Sequence, residues 1–234
     1  MNRYSEIREE CCAANKSLPT SGLVDLTFGN VSLCDRQAGV FAIKPSGVDY
    51  TALTPDDMVI VDFDGKVVEG SLNPSSDTPT HRRLFLAFPD IRSVVHTHSR
   101  KAVAFAQAAR EIPLLGTTHA DYFRGPIPLT RALTPEEINS AYEWETGNII
   151  VERFANLNPN DIPAVLVRNH GPFAWGPSTA KAVENALALE IVADMAFHAL
   201  TLAPNAVSPA LALTEKHFLR KHGSSATYGQ KPHQ

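Results

Sequence analysis

Apolar residues come in short runs along the first half of this chain and at helical spacing along much of the second. Val40-Phe-Ala-Ile43, Met58-Val-Ile-Val-Asp62 and Lys66-Val-Val-Glu69 are each bounded by Gly, Pro or Asp and predict strands. Val24-Asp-Leu-Thr-Phe28 has the same character. Asp64-Gly65 between two of these runs is a hairpin signal. Ahead of them, Tyr4 to Leu18 has helical spacing and stops at Pro19. Further on, the run from Ile91 to Val95, broken by Arg92 and Ser93, predicts a strand ending at His96. Helices interleave from Thr78. Thr78 to Phe88 has Pro79 in its first turn, Ser99 can cap Lys101 to Ala109, and Thr134-Pro-Glu-Glu137 unites cap, proline and acidic first turn. Pro163 to Arg168 predicts a short strand, and Ser178 caps a helix running to Leu202. With no regular βαβ repeat, the expected fold is α/β: a central, mostly antiparallel sheet flanked by helices.

The composition narrows the class without naming a function. The chain has 234 residues, 44% of them hydrophobic, which is ample for one core. No composition break marks a linker, so a single domain over 1–234 is expected. A formal charge of −4 gives no electrostatic case for nucleic acid or an anionic membrane. Cys11, Cys12 and Cys34 suit neither a disulfide framework nor a thiolate metal site, and reduced thiols in a cytoplasmic protein are expected. Met1 to Glu10 is polar and has no signal-peptide pattern. The most apolar stretch, Ala182 to Ala203, contains Glu184, Glu190 and Asp194, which marks it as a helix of the fold rather than a membrane span.

Chemistry concentrates at a few points. His96 and His98 are two apart at a predicted strand end, so their imidazoles share a face, and neutral imidazole is a preferred ligand for zinc-like ions. His170 lies at a strand-to-turn junction before Gly171-Pro172. Asp77 precedes a predicted helix, where it serves equally as an N-cap or as a hard oxygen ligand. Phe28-Gly29-Asn30, Lys44-Pro45-Ser46-Gly47 and Pro74-Ser75-Ser76 have the glycine and hydroxyl content that holds an anion, though each is also an ordinary turn sequence. Asp121, in Gly116-Thr-Thr-His-Ala-Asp-Tyr-Phe123, is a candidate general acid or base if burial raises its pKa, and an Asx-turn otherwise. His119, two residues earlier, is placed to orient it. Glu143-Trp-Glu145 has the look of a solvated acidic helix face, and His217 of a basic helix end.

Taken in order, these pieces form a longer pattern. Leu26-Thr-Phe-Gly-Asn-Val-Ser32, Ile43-Lys-Pro-Ser-Gly-Val-Asp-Tyr50 and Pro74-Ser-Ser-Asp-Thr-Pro-Thr-His81 come first, then Val95-His-Thr-His-Ser99 and Gly116 to Phe123. Tyr142-Glu-Trp-Glu-Thr-Gly-Asn148, Asn169-His-Gly-Pro-Phe-Ala-Trp-Gly176, Lys216 to Gly223 and Tyr228-Gly-Gln230 complete it. From about Leu18 to Gln230 the chain closely resembles the L-ribulose-5-phosphate 4-epimerases of the class II aldolase/epimerase superfamily. The resemblance implies a three-layer α/β/α fold and a divalent ion, usually Zn²⁺ but with Mn²⁺ or Co²⁺ also suited, on Asp77, His96, His98 and His170. It implies contacts from Gly29, Asn30, Ser46, Gly47, Ser75 and Ser76 to a phosphorylated ketopentose, chiefly at its phosphate. Asp121 and Tyr228 would be the acid/base pair. The assembly implied is a cyclic homotetramer in which the C-terminal tail, from about residue 223, carries Tyr228 to a neighbouring subunit. Related sugar-phosphate aldolases have Glu where this chain has Asp77, and adducin head domains of the same fold lack the ligands; the shorter carboxylate implies the epimerase.

Overall fold

A computed structural model describes residues 3–223 and 226–227. Its centre is a seven-stranded sheet in the order β4-β3-β2-β1-β5-β7-β6, antiparallel at every pairing. The strands are β1 (Asn30–Asp35), β2 (Val40–Ile43), β3 (Val59–Asp62), β4 (Val67–Glu69), β5 (Ser93–His96), β6 (Ala164–Leu166) and β7 (Pro172–Gly176). The helices are α1 (Ser5–Thr20), α2 (Thr78–Ala87), α3 (Arg100–Gln107), α4 (Thr117–Ala120), α5 (Pro135–Ile138), α6 (Tyr142–Arg153), α7 (Thr179–Leu202) and α8 (Leu211–His222).

Side-chain alternation along the strands sorts the core onto two faces. Cys34, Phe41, Ile43, Val59, Val61, Val94, Val165, Phe173 and Trp175 point toward α2 and α6, where Leu84, Phe85, Ile149 and Ile150 meet them. Val31, Val95, Ala164, Leu166 and Ala174 point the other way, toward Leu18 of α1, Ala102 and Phe105 of α3 and Ala182, Leu189 and Val192 of α7. Each large side chain buried here contributes roughly 1.5–3 kcal/mol. Helices on both faces give the expected three layers. All three cysteines are buried and free. Ser178 caps α7, accepting from the Lys181 N–H at 3.2 Å.

The structure departs from the sequence expectations in three places. The Val24–Phe28 run is a turn, with Leu26 in the left-handed region at φ 55° and the Phe28 N–H bonded to the Asp25 carbonyl. The strand starts at Asn30 instead, and β1 sits mid-sheet with both faces covered. The helix started by Thr134 is a single turn, because the Asn139 and Ser140 side chains bond back to the Pro135 and Glu137 carbonyls. Ser99 stands at the N-cap position of α3, but its hydroxyl makes no capping bond.

Candidate active site

The first functional cluster lies where β1 begins, β5 ends and β7 begins. Strand register sets Asn30 opposite His96, and His96 opposite Phe173. The buried His96 ring stacks on Phe173 with centroids 4.2 Å apart. Its Nδ1 donates to the Pro172 carbonyl at 2.9 Å, which fixes the tautomer and leaves Nε2 as the lone-pair nitrogen. His98 follows just past the strand end, its ring centroid 5.0 Å from that of His96.

His170 arrives by a tight turn between β6 and β7. Its N–H bonds the Val167 carbonyl at 3.0 Å, and Asn169 takes φ 62°, a conformation asparagine tolerates better than most residues. Gly171 lets this turn close on β5, since a Cβ there would stand 2.9 Å from the Thr97 carbonyl oxygen. Gly29 does the same from β1, at φ +83° and with a Cβ position 2.8 Å from the His96 carbonyl. The His170 ring thereby lies 4.8 Å from that of His96 and 5.2 Å from that of His98.

One nitrogen from each of His96, His98 and His170 falls within 4.8 Å of the others. Burial pushes His170 down to about 4 and lowers His98, with the neighbouring His96 acting in the same direction. These two imidazoles are therefore neutral at physiological pH, as metal ligation requires. The His170 Nδ1 is buried with no hydrogen-bond partner among the described residues. Imidazoles converging in this way, with one fixed by a backbone carbonyl, fit a zinc-like divalent ion. Asp77 is close by but outside the cluster. It stands at the N-cap position of α2 without making a capping bond, and its Oδ2 accepts from Asn30 Nδ2 at 2.7 Å and Ser75 Oγ at 3.4 Å. Burial would raise its carboxyl, but the surrounding imidazoles and the Asn30 amide hold it below the ordinary carboxylate range. His81, one turn along α2, is fully buried against Ser32 and pushed down to about 3 by desolvation, which makes it a neutral wall behind Asp77.

In front of this cluster opens a cavity of about 390 Å³. Gly29, Asn30, Ser46, Gly47, Ser75, Ser76, Asp77, His96, His98 and His170 all line it, so the structure brings the expected ligand and substrate positions together. Lys44, Tyr142 and Glu143 join them; Lys44 belongs to a segment already read as anion-holding, whereas Tyr142 and Glu143 were not read as contacts. Lys44 is 1% exposed, and no acidic side chain bonds its ammonium among the described residues. Its Nζ reaches only the Pro45 carbonyl, at 3.4 Å, and the Tyr50 ring, at 4.7 Å. Burial lowers its pKa, partly offset by Asp49. A desolvated cation beside serine hydroxyls and glycine backbone is a site for an anion. Its place in the Lys-Pro-Ser-Gly segment was the available signal.

Asp121 is elsewhere. It ends α4 and faces α8, accepting from His217 Nδ1 at 3.0 Å and from Arg220 Nε and Nη2 at 3.1 and 2.9 Å. It does not line the cavity of its own chain. Partial burial would raise its carboxyl, but the Arg220 and His217 bonds outweigh this and lower it, contrary to the expectation of a raised value. His119 does not orient it: His119 Nε2 bonds the Gly125 carbonyl at 2.8 Å. His217 and Arg220 take that role. Tyr228 lies outside the described residues.

Known proteins share this arrangement of strands and helices. The family profile for the class II aldolase and adducin N-terminal domain matches residues 9–197. L-ribulose-5-phosphate 4-epimerase UlaF of Salmonella paratyphi C (strain RKS4594) is 52% identical over 231 residues, covering 97% of this chain and 99% of its own. Among solved structures, an L-fuculose 1-phosphate aldolase superposes with a TM-score of 0.77 at 25% identity, covering 91% of this chain and 94% of its own. The L-fuculose-1-phosphate aldolase of Thermus thermophilus shares the fold with a TM-score of 0.67 at 24% identity, over 85% of this chain and 97% of its own.

Proposed function

The chain belongs to the class II aldolase and adducin N-terminal domain family, and within it we propose that the protein is an L-ribulose-5-phosphate 4-epimerase, forming D-xylulose 5-phosphate. The observation that carries this reading is the convergence of His96, His98 and His170 in a cavity whose remaining wall is built of anion donors.

The substrate dictates the chemistry. Its C4 proton is one carbon too far from the C2 carbonyl to be acidic, so proton abstraction cannot invert that centre. Breaking C3–C4 in the retro-aldol sense deprotonates the C4 hydroxyl and yields glycolaldehyde phosphate and a three-carbon enediolate. Rotation of the aldehyde and re-formation of the bond on its other face inverts C4. A divalent ion on His96, His98 and His170, with Asp77 as the adjacent oxygen donor, supplies the Lewis acidity that holds the negative charge left by cleavage; zinc is the proposed ion, and Mn²⁺ or Co²⁺ also suit the donor set.

The chain's own groups do the rest. Lys44, Ser46, Ser75 and Ser76, with the Gly29 and Gly47 backbone, anchor the phosphate while the aldehyde turns, and Asn30 faces the same cavity. Asp77, held by the Asn30 amide, is the proposed oxygen donor to the ion. Proton transfer at the C4 oxygen falls to Asp121 and Tyr228, each such group being worth about 10²–10⁴-fold. Since Asp121 stands outside its own chain's cavity, we assign it to the site of a neighbouring subunit in a cyclic homotetramer, together with Tyr228. The Thr227 N–H, just before Tyr228, bonds the Arg220 carbonyl, and the Arg220 side chain holds Asp121, which supports their arriving as one unit. The proposed setting is the cytoplasm, as for a sugar-phosphate enzyme of central metabolism. The retro-aldol route is tested by supplying glycolaldehyde phosphate and dihydroxyacetone. Slow condensation to ketopentose phosphates is expected, and no condensation alongside brisk epimerisation would contradict the route.

A further inference from the structure

Of the three clustered histidines, His98 is held least directly. His96 is fixed by the Pro172 carbonyl and Phe173, and His170 by a closed turn between two strands. The His98 ring is half-buried and, among the described residues, makes no hydrogen bond; it only meets the Phe28, His96 and His170 rings. Its position is therefore set by its backbone, which passes in two residues from His98 into the first turn of α3.

That first turn is anchored in an uncommon way. Ser99, at the N-cap position, makes no capping bond, and its buried hydroxyl has no partner among the described residues. The cap comes from Glu190, mid-way along α7. Its Oε1 accepts from the Lys101 N–H at 2.9 Å and its Oε2 from the Ala102 N–H at 3.0 Å. One carboxylate thus satisfies two otherwise orphaned donors and places its charge at the positive end of the α3 dipole. α7 is itself tied to the sheet: Asn185 Nδ2 donates to the Trp175 carbonyl of β7 at 2.8 Å. β7 is the strand whose Pro172 carbonyl fixes His96. A rigid path therefore runs from His96 through β7 and α7 to Glu190, and through the α3 first turn to His98.

We propose that Glu190 is a positioning residue for the metal site: by clamping the first turn of α3 it holds His98 in register with His96 and His170. The inference rests on the metal-site reading above. It predicts that loss of the clamp weakens metal binding without removing a ligand, by roughly tenfold, the low end of what is lost when a hydrogen-bond partner of a ligand is removed.

The test is zinc and cobalt titration of purified Glu190→Gln and Glu190→Ala, with Asp194→Asn as control. Glu190→Gln keeps the shape and one acceptor, so it guards against a misfolded Ala variant. Asp194, one turn on, pairs with the Lys101 side chain at 2.9 Å rather than with the helix backbone. Expected are roughly tenfold weaker zinc binding in Glu190→Ala, a smaller loss in Glu190→Gln, and an altered visible spectrum of bound cobalt. kcat should recover at saturating metal, and Asp194→Asn should bind as the parent does. Folded Glu190 variants with parental zinc affinity would overturn the proposal, as would an equal loss in Asp194→Asn. Parent protein that takes up no metal would overturn the site itself, and the proposal with it, so the two failures are distinct.

Discussion

At the scale of single residues, the molecule keeps several ionisable groups in the state that burial dictates. His119 is 4% exposed and pushed down to about 4 by desolvation, with its bond to the Gly125 carbonyl only partly opposing this. The unfolded chain takes up a proton near pH 6.5 and the folded chain only near pH 4. Its contribution is thus fully present above pH 6.5 and is lost as pH falls from there through about 4. His119→Gln should flatten the acid limb of the stability curve in that window, by up to about 1.4 kcal/mol per pH unit. Urea denaturation at stepped pH measures it, and an unchanged slope would contradict the assignment. The candidate site was legible at this scale where a residue type carries its chemistry in its immediate neighbours. His-Thr-His and the serine and glycine segments could be marked without any fold. Lys44 stands in one of those segments, but its burial was not legible, because a lysine is expected at the surface. Tyr142 and Glu143 were not marked as lining residues: they start a helix whose later residues Ile149 and Ile150 pack into the core.

At the scale of elements, the site depends on how closely three strand ends approach. Gly171 is the sharpest instance, with its Cβ position 2.9 Å from the Thr97 carbonyl oxygen. Gly171→Ala should force β5 and β7 apart, cost about 1–3 kcal/mol of stability and weaken zinc binding, while Gly116→Ala, with nothing within 4 Å, should change neither. Thermal denaturation and metal titration check both, and a Gly171 variant with parental affinity would show that the approach is not what sets His170. Hairpin β3–β4 and helices α2 and α7 were readable from turn chemistry, caps and spacing. Strand β1 was not: its residues are buried on both faces, and the stronger-looking pattern just upstream is held as a turn by the Asp25–Phe28 bond and by Arg100 on Asp25. The Asp25–Phe28 bond is local, but the Arg100 pairing that secures Asp25 comes from far along the chain.

At the scale of the whole molecule, one chain carries the three-histidine cluster and the cavity in front of it but presents Asp121 away from them. The proposed tetramer predicts that inactive His96→Asn and Asp121→Asn proteins, mixed and allowed to exchange subunits, regain activity, reaching about a quarter of sites at random pairing. Mixing Asp121→Asn with Tyr228→Phe should restore nothing, because both groups come from the same chain. The reverse pattern would place Asp121 in its own chain's site. The resemblance covers nearly the full chain and so conveys the layered fold and the ligand positions at once. It could not say which chain's cavity Asp121 serves, since that is a property of three-dimensional placement. The central claim is that the three-histidine site makes the protein a metal-dependent 4-epimerase. Its most direct test is to incubate the purified protein with L-ribulose 5-phosphate, with and without a chelator, and to resolve all products. The account predicts D-xylulose 5-phosphate without accumulation of free fragments, abolished by the chelator and restored by zinc. Full activity in metal-stripped protein, or stoichiometric release of separate carbonyl fragments, would contradict it.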